Sequence, residues 1–319
     1  MKRKTTNEKE TFFKDAAACR VPRTHVADGA EGSPLRETDE LFGAADVLSV
    51  LNAEKHRRIL LALSAAGTLL TLAFLLYDEA ELHGLILACG VMILCLVLIR
   101  AVSARLDCHR RYLQYRVLAE CLRVQFFLFR AGIATRAADV LPWSIRKGIP
   151  WVEEVLRGLP EGGAAESRPV LDCWIRDQKK YHESALAKTV SKDRRDGRVA
   201  KTVLAVTVAA YVAALLFELL VYRRSPGSLD AGTVRAVLKI VLGTMSAVTL
   251  FTGSYYGKMS LSNVIDDHKR MISLYETAEE RIEREGESGE LLLFLARECL
   301  NENSTWYAYQ SKNEPDLTI

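Results

Sequence analysis

Four long stretches with almost no charge constrain this chain more than any other feature. Ile59 to Tyr77 is 19 residues without a charged side chain, and Gly84 to Ile99 is 16 more. Thr202 to Tyr222 is 21 residues carrying only Glu218, and Ala236 to Gly257 is 22 carrying only Lys239. A helix needs about 20 apolar residues to cross a bilayer core. The first, third and fourth stretches reach that length directly. The second reaches it if Leu82 and His83 are included and Arg100 extends its charged end to the interface. Their order, two close pairs separated by about 100 residues, predicts two transmembrane hairpins rather than the buried core of a large soluble helical protein.

Composition alone conceals this. The 49% hydrophobic and 26% charged residues and the net charge of +3 match an ordinary globular protein and exclude disordered, collagen-like or disulfide-scaffold chains. Divided by position, residues 103–202 carry a net +8, residues 258–319 a net −6, and residues 59–102 a net −2. Lys55, Arg57 and Arg58 precede the first stretch, and Arg100, Arg105, Arg110 and Arg111 follow the second. Arg194, Arg195, Arg198 and Lys201 precede the third, and Lys258 follows the fourth. The first turn holds Asp78, Glu79 and Glu81 and no basic residue; the second holds Arg223 and Arg224, a mild exception. The positive-inside rule then places both termini and the central region in the cytoplasm.

The first apolar run begins too late for a signal peptide, and the Met-Lys-Arg start excludes N-myristoylation. The seven cysteines are scattered without a CxxC pair, which fits reduced, cytoplasmic usage. Cys108 beside His109 is the nearest approach to a metal pair, and no metal or other cofactor is expected.

No stretch alternates with the two-residue period of a strand, so the chain reads as an all-α membrane protein. Residues 1–37 read as a flexible tail. Residues 38–102 form an N-terminal helix and the first transmembrane hairpin. In it Thr38 is a candidate cap, and Leu41, Phe42, Ala45, Leu48 and Leu51 make an apolar stripe. Residues 103–201 form a basic cytoplasmic helical domain, with span two continuing as one helix to Arg130 and ending at Ala131-Gly132. Its stripe is Leu113, Val117, Cys121, Val124 and Leu128. Residues 202–257 form the second hairpin. Residues 258–319 form an acidic helical region, in which Val264, Met271, Tyr275, Ala278 and Ile282 repeat every 3.5 residues.

Three groups of residues are candidates for function. Glu218 and Lys239 fall at similar depth in the second hairpin and predict an intramembrane ion pair that lines or gates a pore, or is merely structural. Ala205, Ala209 and Ala213, then Gly243 with Ala247, and Gly253 with Gly257, recur at four-residue spacing. Such faces allow close helix approach, within one subunit or between copies. Arg116, Glu120 and Arg123, with Trp174, Gln178, Tyr181 and His182, predict a polar site. It could accept an anionic nucleotide or act as a coupling point, or be an ion-paired core.

The phrases Tyr115-Arg-Val-Leu-Ala-Glu-Cys-Leu-Arg-Val-Gln125 and Trp174-Ile-Arg-Asp-Gln-Lys-Lys-Tyr-His182 lie between the two hairpins, and Glu302-Asn-Ser-Thr-Trp306 follows the second. Over residues 38–310 this order resembles the bacterial SLATT-like four-helix transmembrane effectors, which associate with nucleotide-second-messenger synthetases (SMODS) and with SLOG sensor domains. The resemblance implies a membrane effector of the bacterial inner membrane, pore-forming or membrane-disrupting, in antiviral defence. It implies a separate nucleotide-signal or SLOG-type sensor as trigger, since no sensor domain is recognisable in the sequence.

The expected partners are membrane lipid, further copies of the chain and that sensor system; no motif suggests nucleic acid. Lys192, Arg194, Arg195, Arg198 and Lys201 suit anionic headgroups, or serve the orientation signal alone. Two other classes compete. One is a scaffold without a pore that recruits partners through the acidic C-terminal region. The other is a membrane enzyme using His182 and Asp177, but no catalytic motif accompanies them and an enzyme is not expected.

Overall fold

The computed structural model describes residues 2–19, 34–80, 82–160, 169–222, 229–259 and 261–312, with side-chain surroundings set aside at 2–6, 221–222, 229–231 and 254–259. About 90% of it is helical, and no strand occurs among the described residues. The elements are α1 (Lys2–Ala18), α2 (Pro34–Glu79), α3 (Leu85–Leu106), α4 (Cys108–Arg130), α5 (Trp143–Gly148) and α6 (Pro150–Gly158). They continue with a π-helical turn (Leu171–Arg176), α7 (Asp177–Phe217), a second π-helical turn (Glu218–Tyr222), α8 (Leu229–Met259), α9 (Leu261–Glu285) and α10 (Gly289–Lys312). Two compact units emerge. The larger comprises Met1–Lys55, Cys108–Lys188 and Asn263–Ile319, and the smaller comprises His56–Asp107 and Thr189–Ser262.

The larger unit is organised on α4. Its predicted stripe, Leu113, Val117, Cys121, Val124 and Leu128, is buried, and so are Tyr115, Leu118, Leu122, Phe126, Phe127 and Phe129. A helix apolar around most of its girth must be covered on several sides. The aromatic run finds part of its cover in Trp174, whose ring stacks on Phe127 at 5.1 Å and 6°. The helix ends at the expected place: Gly132 takes a φ of 73°, the left-handed conformation that closes a helix C-terminus. From α9, Met271, Tyr275, Ala278 and Ile282 point into the same core, as the 3.5-residue period requires, and α10 adds Leu291, Leu292, Leu295 and Leu300. Gly286, at φ 83°, separates these two helices.

Four expectations are corrected. The loose tail is a helix over Lys2–Ala18, because Phe12 is fully buried against Tyr115 (5.4 Å) and Trp151 (5.7 Å). Ion pairs Glu8–Arg110 (2.7 Å) and Asp15–Arg111 (3.2 Å) hold its polar side. A single aromatic anchor in a polar sequence leaves little periodic signal. Residues 20–33 of the expected tail lie outside the described residues. Second, α2 begins at Pro34 rather than at a Thr38 cap, since proline suits the first helical position. Thr38 donates back to the Pro34 carbonyl at 2.7 Å. In the stripe that follows, Leu51 is exposed and Asn52 takes the inner position. Third, span two does not run unbroken to Arg130. Asp107 adopts φ 50° and ψ 37°, ending α3 in a left-handed cap before α4 starts at Cys108. Fourth, the division by sequence gives way to one by packing: residues 34–55 and the acidic C-terminal region join the central domain in one unit.

The acidic C-terminal region has a structural use there. Arg176 pairs with Glu279 at 2.7 Å and with Glu283 at 2.5 Å, and Lys179 with Glu279 at 3.2 Å. Glu287 receives the backbone N–H groups of Val170 and Leu171, both at 2.9 Å. These would otherwise be unsatisfied at a helix start.

The smaller unit contains the apolar stretches. Four helices are long and apolar enough to cross a membrane, with almost none of their most apolar windows buried inside the molecule. On α3 only Cys89 and Leu96 are buried, while Leu87 is 77% exposed. Contacts between α2 and α8 are few but close. A Cβ at Gly67 would lie 2.6 Å from Phe251 Cζ, and one at Gly243 would lie 2.6 Å from Leu75 Cδ1. Each helix therefore seats one apolar side chain in a glycine notch of the other, in antiparallel register. Between α7 and α8, Thr207 and Thr249 share a hydroxyl hydrogen bond of 2.8 Å.

Replacing Phe12 by alanine should lower the stability of the larger unit by about 3–4 kcal/mol, the usual cost of emptying a buried aromatic position. Urea unfolding of the detergent-solubilised chain measures it; an unchanged midpoint would show α1 to be undocked.

Candidate functional site

One face of α4 carries Arg116, Glu120 and Arg123, spaced to lie one above another on a helix. Arg116 reaches Glu120 at 2.6 Å and Asp46 of α2 at 3.1 Å. Arg123 hydrogen-bonds the other oxygen of Glu120. These three residues form one wall of a cavity of about 110 Å³ within the larger unit. Tyr181 and His182 come from α7, Val264, Asp267, His268, Met271 and Tyr275 from α9, and Cys299, Glu302, Asn303 and Trp306 from α10. α4, α9 and α10 contribute through positions three or four apart, each presenting one stripe to a common centre, and α7 adds the adjacent pair Tyr181 and His182.

His182 and His268 meet across the cavity with their Nδ1 atoms 3.0 Å apart. One donates and the other accepts, which the pair can do only while at least one ring is neutral. Burial, then His268 and Arg123, pull His182 down to about 4. His268 is lowered too, mainly by burial. His182 Nε2 is buried and has no hydrogen-bond partner among the described residues.

Burial would raise the Glu120 carboxyl, but Arg116 and Arg123 outweigh it and the group is held below its ordinary range. Glu302 lacks such partners: burial first, then Glu120 and Asp267, raise it to about 7. Asp267 is raised by burial despite Arg270 at 3.4 Å. Tyr275 lies against Cys299 Sγ at 3.4 Å, and burial raises both, the thiol to about 12. The thiol is thus unreactive. Asn303 donates to the Val117 carbonyl of α4 at 3.3 Å, locking α10 in register.

Of the seven residues singled out by sequence, Arg116, Glu120, Arg123, Tyr181 and His182 share this cavity. Trp174 and Gln178 do not line it. Trp174 is a core residue on Phe127, and Gln178 is buried with its Oε1 unpartnered among the described residues. His268, Asp267 and Glu302 were missed. Asp267 and His268 fall between the apolar positions of the α9 repeat, and Glu302 falls in the acidic C-terminal region, where it looked like one solvated charge among thirteen. Asp177 is exposed and does not line the cavity.

The arrangement disfavours the anionic-nucleotide reading. Both guanidinium groups already face carboxylates, and Glu302 and Asp267 add negative character. A volume near 110 Å³ is also below the range of about 300–1,000 Å³ typical of cofactor and drug-sized ligand sites.

The expected Glu218–Lys239 pair is not formed. Glu218 pairs with Arg235 at 3.1 Å, and Lys239 with Glu79 of α2 at 2.8 Å. Arg235 lies one helical turn before Lys239 and competes for the same acid, while Lys239 faces α2 across the glycine-notched interface. The turn with Arg223 and Arg224 lies outside the described residues, as does Glu81. Ala205, Ala209 and Ala213 are exposed on α7. Gly243 is used within the chain, Gly253 has nothing within 4 Å, and the surroundings of Gly257 lie outside the described residues.

Comparison with known protein families, with characterised proteins and with solved structures finds no match to this chain.

Changing Glu120 to glutamine should destabilise the larger unit by about 3 kcal/mol, because it strands the Arg123 guanidinium in a largely buried site and leaves Arg116 with Asp46 alone. Thermal or urea unfolding measures this; a loss under about 0.5 kcal/mol would show the triad to be solvated.

Proposed function

We propose that this protein is a four-span effector of the bacterial inner membrane that opens or disrupts the bilayer when triggered. The observation that carries this reading is the set of four membrane-length helices with little of their apolar surface covered by the chain itself. In water such surface is untenable; in lipid it is ordinary. In this reading α2 with α3, and α7 with α8, form two hairpins. The larger unit lies in the cytoplasm, on the side marked by Lys55, Arg57, Arg58, Arg194, Arg195 and Arg198. Defence, and a trigger from a separate nucleotide-signal or SLOG-type sensor, follow from the resemblance.

The active form is a homo-oligomer, since four helices of one chain enclose little water. The exposed alanine face of α7 suits close approach of a second copy. The two ion pairs, Glu218–Arg235 and Glu79–Lys239, lie near one end of the spans and neutralise charges that would be costly in lipid. The alternative is a scaffold without a pore that recruits partners through its cytoplasmic helices; part of its acidic C-terminal region, Glu276, Glu279 and Glu283, is engaged by Arg176 and Lys179.

The full-length protein in liposomes should release an entrapped dye, and cross-linking should capture oligomers in the leaking membranes. Intact vesicles at every protein density, or leakage from monomers alone, would overturn the reading. Lys239→Met, which strands Glu79, should change leakage at least about tenfold if this pair gates the path; an unchanged rate would leave it a structural pair.

A further inference from the structure

Three carboxyl groups converge on the cavity of the larger unit from three helices, and they are not equivalent. Glu120 is held between Arg116 and Arg123, and Asp267 has Arg270 at 3.4 Å. Glu302 has no cation within ion-pair distance among the described residues, although it faces the same space. The cations whose charge reaches it are committed elsewhere: Arg270 to Asp267, and Arg116 to Glu120 and Asp46.

The fourth wall makes matters no easier for a negative charge. From α7 it offers Tyr181 and the buried His182, whose Nδ1 is taken by His268 and whose Nε2 stands unpartnered. The remaining titratable groups are Tyr275 of α9, Cys299 of α10 and Tyr112 of α4. Burial raises all three, so none is charged at neutral pH. An ionised Glu302 would thus add a third carboxylate where only two are compensated.

Glu302 also sits where this matters mechanically. Its neighbour Asn303 bonds the Val117 carbonyl, and Trp306, one turn on, packs edge-on against Tyr112 at 5.9 Å. These are the contacts that seat the C-terminal half of α10 on α4.

We propose that docking of α10 on α4 and α9 takes up one proton, held on Glu302 while the helix is seated and released to solvent when it lifts. The sign follows from linkage. A carboxyl raised toward 7 in the docked state favours docking below the ordinary carboxyl range, and that contribution is lost as pH rises toward 7. His182 acts oppositely. Depressed toward 4, it favours docking above its ordinary value, and that contribution is lost as pH falls toward 4. Asp267, raised mainly by burial, shifts in the same sense as Glu302, and His268 in the same sense as His182, so the carboxyls and the imidazoles oppose one another in mildly acidic solution. This inference goes beyond the membrane reading and does not rest on it.

The test is hydrogen exchange of α10 amides in the full-length protein in nanodiscs, between pH 5 and pH 8.5, corrected for intrinsic exchange. Glu302→Gln mimics the protonated group. Its α10 opening equilibrium, relative to the native chain, should fall at least about tenfold from pH 5 to pH 8, since the variant never has to shed the proton. Glu302→Asp, which still ionises, should keep the native pH dependence. Parallel profiles of the glutamine variant and the native chain would overturn the proposal. If the glutamine variant does not fold, the carboxyl resonance of Glu302 in the native chain decides: a midpoint near 7 supports the proposal and one near 4.5 overturns it. Neither readout uses leakage, so a protein that fails to permeabilise vesicles would count against the membrane reading alone.

Discussion

Glu120 lies between two guanidinium groups on the helix that organises the larger unit, and much of that unit depends on the bridge being complete. Arg116 and Arg123 occupy a charged face of α4, apart from the Arg110 and Arg111 that pair with α1. Around the rest of its girth α4 receives Phe12 of α1, Trp174 of the first π-helical turn and the apolar positions of α6 and α10. A helix so enclosed can carry charged residues only if they neutralise one another locally, because burying an unpaired charge would cost several kcal/mol. With Glu120 in place the charged face can serve as one wall of the cavity.

That pairing sets the character of the other groups. Once the two arginines are satisfied by Glu120 and Asp46, little positive charge is left for Glu302, and His182 and His268 can meet only by sharing one Nδ1 proton between them. The cavity is therefore a place where protonation states are decided by packing, not one with free cations for a phosphate. The smaller unit works by a different economy. Its helices have few polar contacts, and α2 and α8 are held by two reciprocal glycine notches and an ion pair between Glu79 and Lys239.

Much of the larger unit was legible in sequence. The stripes of α4 and α9 repeat at helical spacing, and the stops at Gly132 and Gly286 are chemically marked, since glycine alone takes a left-handed backbone without strain. Five of seven proposed site residues do meet, because the Arg116–Glu120–Arg123 spacing and the Tyr181-His182 pair are local patterns. Several of the failures turn on long-range partners. Phe12 looks solvated until Trp151 and Tyr115 are beside it, Glu302 looks like surface charge until α10 folds back on α4, and Glu218 and Lys239 look like partners until Arg235 and Glu79 are brought beside them. Asp107 gives no glycine signal for the break between α3 and α4.

The sequence by itself determined that the chain is helical and that four of its segments suit lipid. Length, absence of charge and periodicity are properties of contiguous residues, and no fold is needed to read them. Only the tertiary structure decided which acid answers which base, and that the C-terminal helix lines one cavity together with the central one. Those outcomes depend on which side chains are brought within a few ångströms, and residues as far apart as Glu79 and Lys239 or Val117 and Asn303 carry no mark of one another in the linear chain.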